Sequence, residues 1–168
     1  MGTVGIWSRG ETLAQVLEAR LGRQFDFIRA DHPALFAQWE LARRGLARRD
    51  PNWQDLDLLV IAPDAVGLAG AGVLRPRLAL LPGNGIALCG NLRATSAVSY
   101  GLGRQNSLTL SSMDGGSVSV CLQRELLTLS GRTVERQEWV LPYDKERYST
   151  EEFLCLVGAL LLLDQQLS

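Results

Sequence analysis

The chain is poor in the residues that build metal and disulfide sites. Its 168 residues include one histidine, His32, and three cysteines, Cys89, Cys121 and Cys155, which are far apart and form no CxxC pair. A structural zinc site or a disulfide framework needs closer spacing or more ligands. We therefore expect no bound metal, three free thiols and a reducing, cytoplasmic environment; the N-terminus also lacks the basic flank and apolar run of a signal peptide.

The sequence also has no excess charge of one sign and no long hydrophobic run. Its 17 basic and 18 acidic residues give a net charge of -1, which argues against nucleic-acid binding. The unbroken apolar run from Phe153 to Leu163 is too short for a bilayer, which takes about 20 residues. With 46% hydrophobic residues the chain should fold. We expect one soluble domain over residues 1–168, with a possible internal seam near residues 83–91.

No catalytic signature stands out. A GxxxxGK[ST] phosphate loop is absent. The candidate nucleophiles Ser111, Ser112, Cys89 and Cys121 have only His32 as a possible base, and it falls at a predicted helix start. The sequence therefore predicts no catalytic residue and no cofactor, and it favours a protein that is not an enzyme.

The first 62 residues alternate between strand and helix patterns. Ser8 and Glu11 have the spacing of a capping box, and Asp31 can cap a second helix. The predicted strands are residues 3–7, 25–30 and 56–62, and the predicted helices are residues 8–22 and 31–49. This alternation predicts an α/β fold whose N-terminal half is a Rossmann-like, three-layer arrangement of parallel strands and helices.

The second half reads as strands and turns. Asp114-Gly115 is a strong hairpin signal, and Ser130-Gly131-Arg132 marks a second hairpin between residues 126–129 and 133–141. Ser149 and Glu152 form another capping box before a C-terminal helix that ends near Leu163. The other predicted strands are residues 77–81, 97–100, 107–112 and 117–123. We expect one sheet to bury Ile6, Phe27, Leu59, Val60, Ile61, Leu80 and Val98, with Val60 near its centre.

The C-terminal helix is apolar on more than one face. A helix of this kind is either covered within its own domain or shared with a second chain. We expect a homodimer in which this helix or the neighbouring sheet face contributes to the interface, and a different protein partner is a second possibility. Complete burial within the monomer is the alternative.

The turn after the first strand lies where a dinucleotide-binding fingerprint would lie. The fingerprint requires three glycines, and the corresponding residues are Ser8, Gly10 and Leu13. Asp31 follows the second strand, where an acidic residue would hold a ribose. Residues 3–62 thus resemble the Rossmann family in topology, with Gly10 and Asp31 matching its motif. The resemblance implies a cofactor site at Ser8, Gly10 and Asp31; the alternative is that Ser8 and Asp31 only cap helices.

A second candidate binding site follows the strand at residues 77–81. Ligands of open α/β sheets gather at the carboxyl ends of strands, and Gly83-Asn84-Gly85 follows such an end. Its backbone amides could form an anion-binding nest. A plain connecting loop is the alternative.

Residues 90–123 contain Ser99-Tyr100-Gly101, a short polar turn and a strand that begins near Ser107. This segment resembles the β-rich piece of Mur ligases in which a TYG strand leaves the ATP-binding domain. Because the phosphate loop is absent, the resemblance implies a shared β-substructure without the ligase activity.

Four arginines, Arg43, Arg44, Arg48 and Arg49, could grip a phosphate or an acidic partner, or could be a solvated helix end. Taken together, the sequence favours a non-catalytic binding or protein-interaction module. The alternative is an enzyme that uses a nucleotide or sugar nucleotide, bound by the turn after the first strand and by Gly83–Gly85.

Overall fold

A computed structural model describes residues 2–32, 35–36, 56–65, 74–84 and 92–167. It has an α/β fold built on one eight-stranded sheet and a separate two-stranded ribbon. The sheet strands are β1 (Gly2–Trp7), β2 (Phe25–Ala30), β3 (Leu58–Ile61), β4 (Leu78–Pro82), β5 (Ser96–Tyr100), β6 (Leu108–Asp114), β7 (Ser117–Leu122) and β10 (Gln137–Pro142). The ribbon pairs β8 (Leu126–Leu127) with β9 (Thr133–Val134). The helices whose bounds lie within the described residues are α1 (Thr12–Leu21) and α2 (Thr150–Leu162).

The sheet has the order β10-β7-β6-β5-β4-β3-β1-β2. Strands β2, β1, β3, β4, β5 and β6 pair in parallel, and β7 and β10 add antiparallel strands. The expected parallel N-terminal half and hairpin-rich C-terminal half are therefore confirmed. The strands on either side of the possible seam, β4 and β5, pair directly, and residues 85–91 of the seam lie outside the described residues.

Most strands begin and end within two residues of the bounds predicted from the sequence, and the exception is the strand predicted over residues 133–141. The two-residue loop Gly115–Gly116 joins β6 to β7, and Gly115 has a φ of 53°, which glycine adopts without strain. The stretch predicted as one strand over residues 133–141 is divided. Its first residues pair with β8 and its remainder crosses to β7 as β10.

The capping box expected at α1 is wrong. The helix begins at Thr12 with Glu11 as its N-cap, and no side chain caps it. The Ser8 hydroxyl instead donates to the Gly10 carbonyl oxygen at 2.6 Å. The N-cap lies three residues later than the capping box predicts. Ser8 therefore lies in the preceding turn and stabilises that turn rather than the helix.

The box at α2 is confirmed. The Glu152 N–H donates to the Ser149 hydroxyl, and the Ser149 N–H donates to the Glu152 carboxylate. From Phe153 to Leu163 every residue is buried within a single chain. Gly158 allows a close approach to the sheet, since a Cβ there would lie 2.9 Å from Leu80 Cδ1. Coverage of α2 therefore does not require a second chain.

Two apolar clusters lie on opposite faces of the sheet. The cluster on the first face includes Val4, Val60 and Leu80 and packs against both helices. The cluster on the second face includes Trp7, Leu59 and Phe36. The predicted core is buried apart from Phe27, which is only partly covered because β2 is a terminal strand of the sheet. The second helix, predicted over residues 31–49, falls mostly outside the described residues.

Asp164 connects the turn after β8 to the end of α2. Its carboxylate accepts hydrogen bonds from the Thr128 hydroxyl at 2.6 Å and from the Ser130 hydroxyl and N–H at 2.8 and 3.0 Å. Arg132 lies 3.6 Å away. Partial burial raises the pKa of Asp164, but these hydrogen bonds and the Arg132 charge lower it further, so that the net pKa is below its ordinary value.

We expect Asp164→Asn to destabilise the protein at pH 7 in urea unfolding. A carboxyl group with a lowered folded-state pKa stabilises the fold above its unfolded pKa of about 3.9, and that contribution is lost as the pH falls through the folded-state value. The difference from wild type should therefore shrink in acid below about pH 4. Glu125→Gln, at an exposed position, serves as the control. A difference that persists undiminished in acid would contradict the charge-based account.

Candidate functional site

The carboxyl ends of β1, β3 and β4 lie at one edge of the sheet. The chain passes from β1 outward to β2 and then returns to β3 on the other side of β1. In doubly wound sheets such a reversal of strand order creates the crevice in which ligands bind. The turn after β1 and the turn after β3 flank this position.

The turn after β1 is held by backbone and side-chain contacts of its own. The Ser8 N–H donates to the Ala30 carbonyl oxygen at 3.1 Å, and the Ser8 carbonyl oxygen accepts from Arg29 Nη1 at 2.8 Å. Together with the bond from its hydroxyl to Gly10, these contacts employ all of the polar groups of Ser8. Ser8 is buried, and its role in this structure is to fix the turn.

The amides that could cradle an anion are bonded to a carboxylate of the chain itself. The N–H groups of Arg9 and Gly10 donate to the two carboxylate oxygens of Asp64, at 3.2 and 3.1 Å. Asp64 follows β3, the strand next to β1. Its side chain therefore lies at the switch point, the position where the strand order reverses. A bound phosphate would have to displace it and would meet its negative charge.

The space beside this turn is small. Ser8, Gly10, Thr12, Asp64 and Glu152 are among the residues that line a cavity of about 110 Å³. Ligand pockets usually measure about 300–1,000 Å³. The cavity formed by the described residues could therefore hold only a few water molecules, and its lining includes the carboxylates of Asp64 and Glu152.

Two ionisable groups lie beneath this edge, and both are neutral at pH 7. Burial raises the pKa of the Cys155 thiol to about 12; a hydrogen bond with Tyr100 lowers it, and the charges of Asp64 and Glu152 raise it. Burial also raises the pKa of the Tyr100 hydroxyl, which donates to the Ile61 carbonyl oxygen at 2.6 Å. A protonated, buried thiol is a poor nucleophile, so Cys155 supplies core packing rather than reactivity.

The structure places Asp31 next to Ser8 at the same edge. Asp31 is exposed, and its carbonyl oxygen accepts from Trp7 Nε1 at 3.2 Å. Its side chain does not line the small cavity beside Ser8 and Gly10. The three residues of the first predicted site are therefore neighbours in space, but they do not surround one pocket between the described residues.

Gly83 and Asn84 directly follow β4, which is separated from β1 by β3, so they lie at the same edge. A Cβ at Gly83 would overlap Oδ1 of Asn106, which is buried against it. Gly101, with a φ of 154°, is also close to the Asn106 amide, since a Cβ there would lie 2.8 Å from Nδ2. The glycine at position 83 is thus explained by the packing of Asn106.

The Asn106 side chain is half satisfied. Its Nδ2 donates to the Gly103 carbonyl oxygen at 3.0 Å, while Oδ1 has no hydrogen-bond partner among the described residues. Gly85, Cys89 and the four arginines Arg43, Arg44, Arg48 and Arg49 lie outside the described residues. Cys121 and Cys155 are free thiols.

A larger, apolar depression lies elsewhere among the described residues, and the sequence analysis did not predict it. An apolar cleft of about 740 Å³ lies over α2, between α1 and the segment from Val140 to Tyr148. Its apolar lining is Val16, Ala19, Val140, Leu141, Pro142, Phe153, Leu156, Val157, Leu160 and Leu167. Arg20, Asp144 and Arg147 supply its charged groups. These residues come from α1 and from residues 140–167, which lie far apart in the sequence, and no local pattern connects them.

The strand β10 forms one end of the described sheet. The Tyr143 N–H donates to the Gly116 carbonyl oxygen at 2.8 Å, in line with the pairing of β10 and β7. Because bonded positions alternate in an antiparallel pair, Glu138 and Val140 direct their N–H and C=O groups away from β7. The Val140 side chain is 71% exposed. The alternating sequence predicted a strand here, but only the strand order shows that it is terminal.

No known protein family, curated protein or solved structure matches the chain. Among the described residues, none of the helices is long and apolar enough to cross a membrane.

Proposed function

We propose that the chain is a non-catalytic, cytoplasmic binding module with Rossmann-like topology, and that it binds another polypeptide through the outer edge of β10, the terminal strand of the described sheet. The partner that we propose is a second copy of the chain. The observation that carries the proposal is the outward-facing backbone of Glu138 and Val140 beside an exposed apolar side chain. A terminal strand of this length is a ready template for strand addition.

The contacts at the carboxyl ends of β1 and β3 support a non-catalytic role. The carboxylate of Asp64 occupies the amides at the switch point, and the cavity beside it is far smaller than a nucleotide site. The raised pKa of the Cys155 thiol removes the one fully buried nucleophile described near that edge. Free thiols at Cys121 and Cys155 agree with a reducing, cytoplasmic environment.

Two copies can pair β10 about a two-fold axis. In the register that we favour, Glu138 of each copy pairs with Val140 of the other, so the outward N–H and C=O groups of both residues are bonded. This register avoids placing the two Glu138 side chains directly opposite each other, which like charges disfavour. It also places the half-buried Trp139, which packs on the sheet face covered by α2, opposite Trp139 of the second copy.

The expected dimer contact was α2 or the neighbouring sheet face. Because α2 is already covered within one chain, the proposal places the contact on the terminal strand of that sheet, β10. The local resemblance of residues 90–123 to Mur ligases enters only as a proposed shared β-substructure: these residues include β5 and the β6–β7 hairpin, on which β10 is laid.

We expect light scattering coupled to size exclusion to give twice the chain mass of 18.4 kDa at micromolar concentration. Val140→Pro should return the mass to that of one chain, because proline removes an outward N–H that β7 does not use. Val140→Lys should have the same effect by placing a charge on the edge. Leu102→Lys, in the loop between β5 and β6 and 57% exposed, is the matched control and should leave the dimer intact.

A monomeric wild-type mass at every concentration tested would overturn the dimer. Dimers that withstand both Val140 substitutions would place the contact elsewhere. A thermal-shift series with NAD, NADP, ATP and UDP-sugars tests the enzymatic alternative on the same samples, because a ligand that binds the folded state raises its melting temperature. A rise with any of these nucleotides would favour a nucleotide-dependent enzyme over the proposed module.

A further inference from the structure

The apolar cleft over α2 combines a hydrophobic lining with an excess of positive charge. Arg20, in the last turn of α1, and Arg147, before α2, both line it. Neither forms an ion pair with a carboxylate in the described part of the chain, where Arg132 pairs with Asp164. The remaining charged lining residue is Asp144, whose carboxylate accepts the Glu146 N–H at 3.0 Å.

The position of Arg147 is held by an aromatic ring. Its guanidinium carbon lies 5.3 Å from the centroid of the Tyr148 ring, which is a cation–π distance. The Tyr148 backbone is fixed in turn, because its carbonyl oxygen accepts the Tyr143 hydroxyl at 2.8 Å. Tyr143 and Phe153 pack edge to face with 5.1 Å between ring centroids. The Arg147 guanidinium therefore lies against a cluster of packed aromatic rings at the border of the cleft.

The size of the cleft suits a small molecule. A volume of about 740 Å³ lies within the usual 300–1,000 Å³ range of ligand sites. The lining is contributed by side chains that are covered in the fold, such as Leu156 and Leu160, and by partly exposed ones such as Val16. An alkyl chain would cover the exposed part of this lining, which includes Val16 and Val140, while a carboxylate could reach a guanidinium group.

We propose that the apolar cleft binds an amphipathic anion, namely the carboxylate form of a medium-chain fatty acid. The alkyl chain would lie along Leu156 and Leu160 of α2, and the carboxylate would lie between Arg20 and Arg147. Val140, Leu141 and Pro142 of β10 also border the cleft, but the two arginines that would hold the carboxylate, and Ala19, lie outside the strand proposed for pairing.

Calorimetric titration of the full chain with decanoate, below its micelle concentration, tests the proposal. Decanoate should bind, and each additional methylene should tighten binding by up to about fourfold, in keeping with the transfer free energy of a buried methylene. Decyltrimethylammonium has a similar alkyl chain and the opposite charge, so it should bind more weakly. Arg20→Glu and Arg147→Glu should each weaken decanoate binding by about tenfold, as expected for a lost charged hydrogen bond.

Matched substitutions separate a local effect from a change in total charge. Arg23→Glu and Lys145→Glu reverse exposed charges that do not line the cleft, so they should leave the affinity unchanged. Ala19→Trp should block the cleft from an exposed position of α1, whereas Gln15→Trp on the same helix should not. Absence of decanoate binding, equal binding of the ammonium compound, or binding that survives Ala19→Trp would each overturn the proposal.

Discussion

A chain that ends after Tyr148 is expected not to fold. The removed segment contains α2, whose residues from Phe153 to Leu163 are all buried. They cover Leu80, Val98 and other residues on one face of the central strands, and each Å² of apolar surface returned to water costs roughly 25 cal/mol. Domains are stable by only about 5–15 kcal/mol, so a loss of this size exceeds the stability available.

Circular dichroism and thermal unfolding of the truncated chain test this expectation. A chain that ends after Gln165 keeps α2 and Asp164, and it should unfold cooperatively as wild type does. Leu154→Ala gives a graded version of the same loss, since Leu154 is completely buried; we expect it to cost about 2–5 kcal/mol. If the chain that ends after Tyr148 unfolded cooperatively, α2 would be an appended element, and the case for partner binding through α2 would strengthen.

The α/β fold was predictable because its signals are local. The apolar stretch from Leu58 to Ile61 has the composition of a strand covered on both faces, and all four residues are buried. The capping box of Ser149 and Glu152 fixed the start of α2. The Asp114-Gly115 turn likewise determined the β6–β7 hairpin, since glycine at a positive φ is what that turn requires.

The candidate site was only partly predictable, because its decisive contact is not local. Asp64 lies 54 residues from Gly10 in sequence, and no pattern in either segment predicts that the Asp64 carboxylate accepts a hydrogen bond from the Gly10 amide. The same spacing that suggested a capping box at Ser8 is used for a turn instead. In both cases the local pattern was compatible with two structures, and a contact between distant segments decided between them.

The surfaces on which we base the two proposals were hidden from the sequence for a related reason. The outer edge of β10 depends on the order of eight strands, and alternation along one strand does not reveal that order. The apolar cleft depends on how α1, α2 and the segment after β10 are placed around one another. Arg20 and Arg147 are 127 positions apart, and each by itself is an ordinary surface arginine.

Leu59→Ala is expected to cost about 2–5 kcal/mol, the usual range for removing a fully buried leucine. Leu59 has no exposed surface and lies in β3, between β1 and β4, on the sheet face opposite α2. Its partners in the sheet register are Gly5 and Ala79, whose side chains are too small to move into the vacated space. The cavity should therefore stay largely unfilled, which places the expected loss in the upper half of that range.

Urea unfolding of Leu59→Ala beside Leu102→Ala measures this loss against a matched substitution. Leu102 is 57% exposed, so its truncation should change the free energy of unfolding by less than about 0.5 kcal/mol. The slope of the transition should be the same for both variants and wild type if the unfolded states are comparable. A Leu59→Ala loss as small as that of Leu102→Ala would contradict the central position of β3, and with it the strand order that leaves β10 at the edge of the sheet.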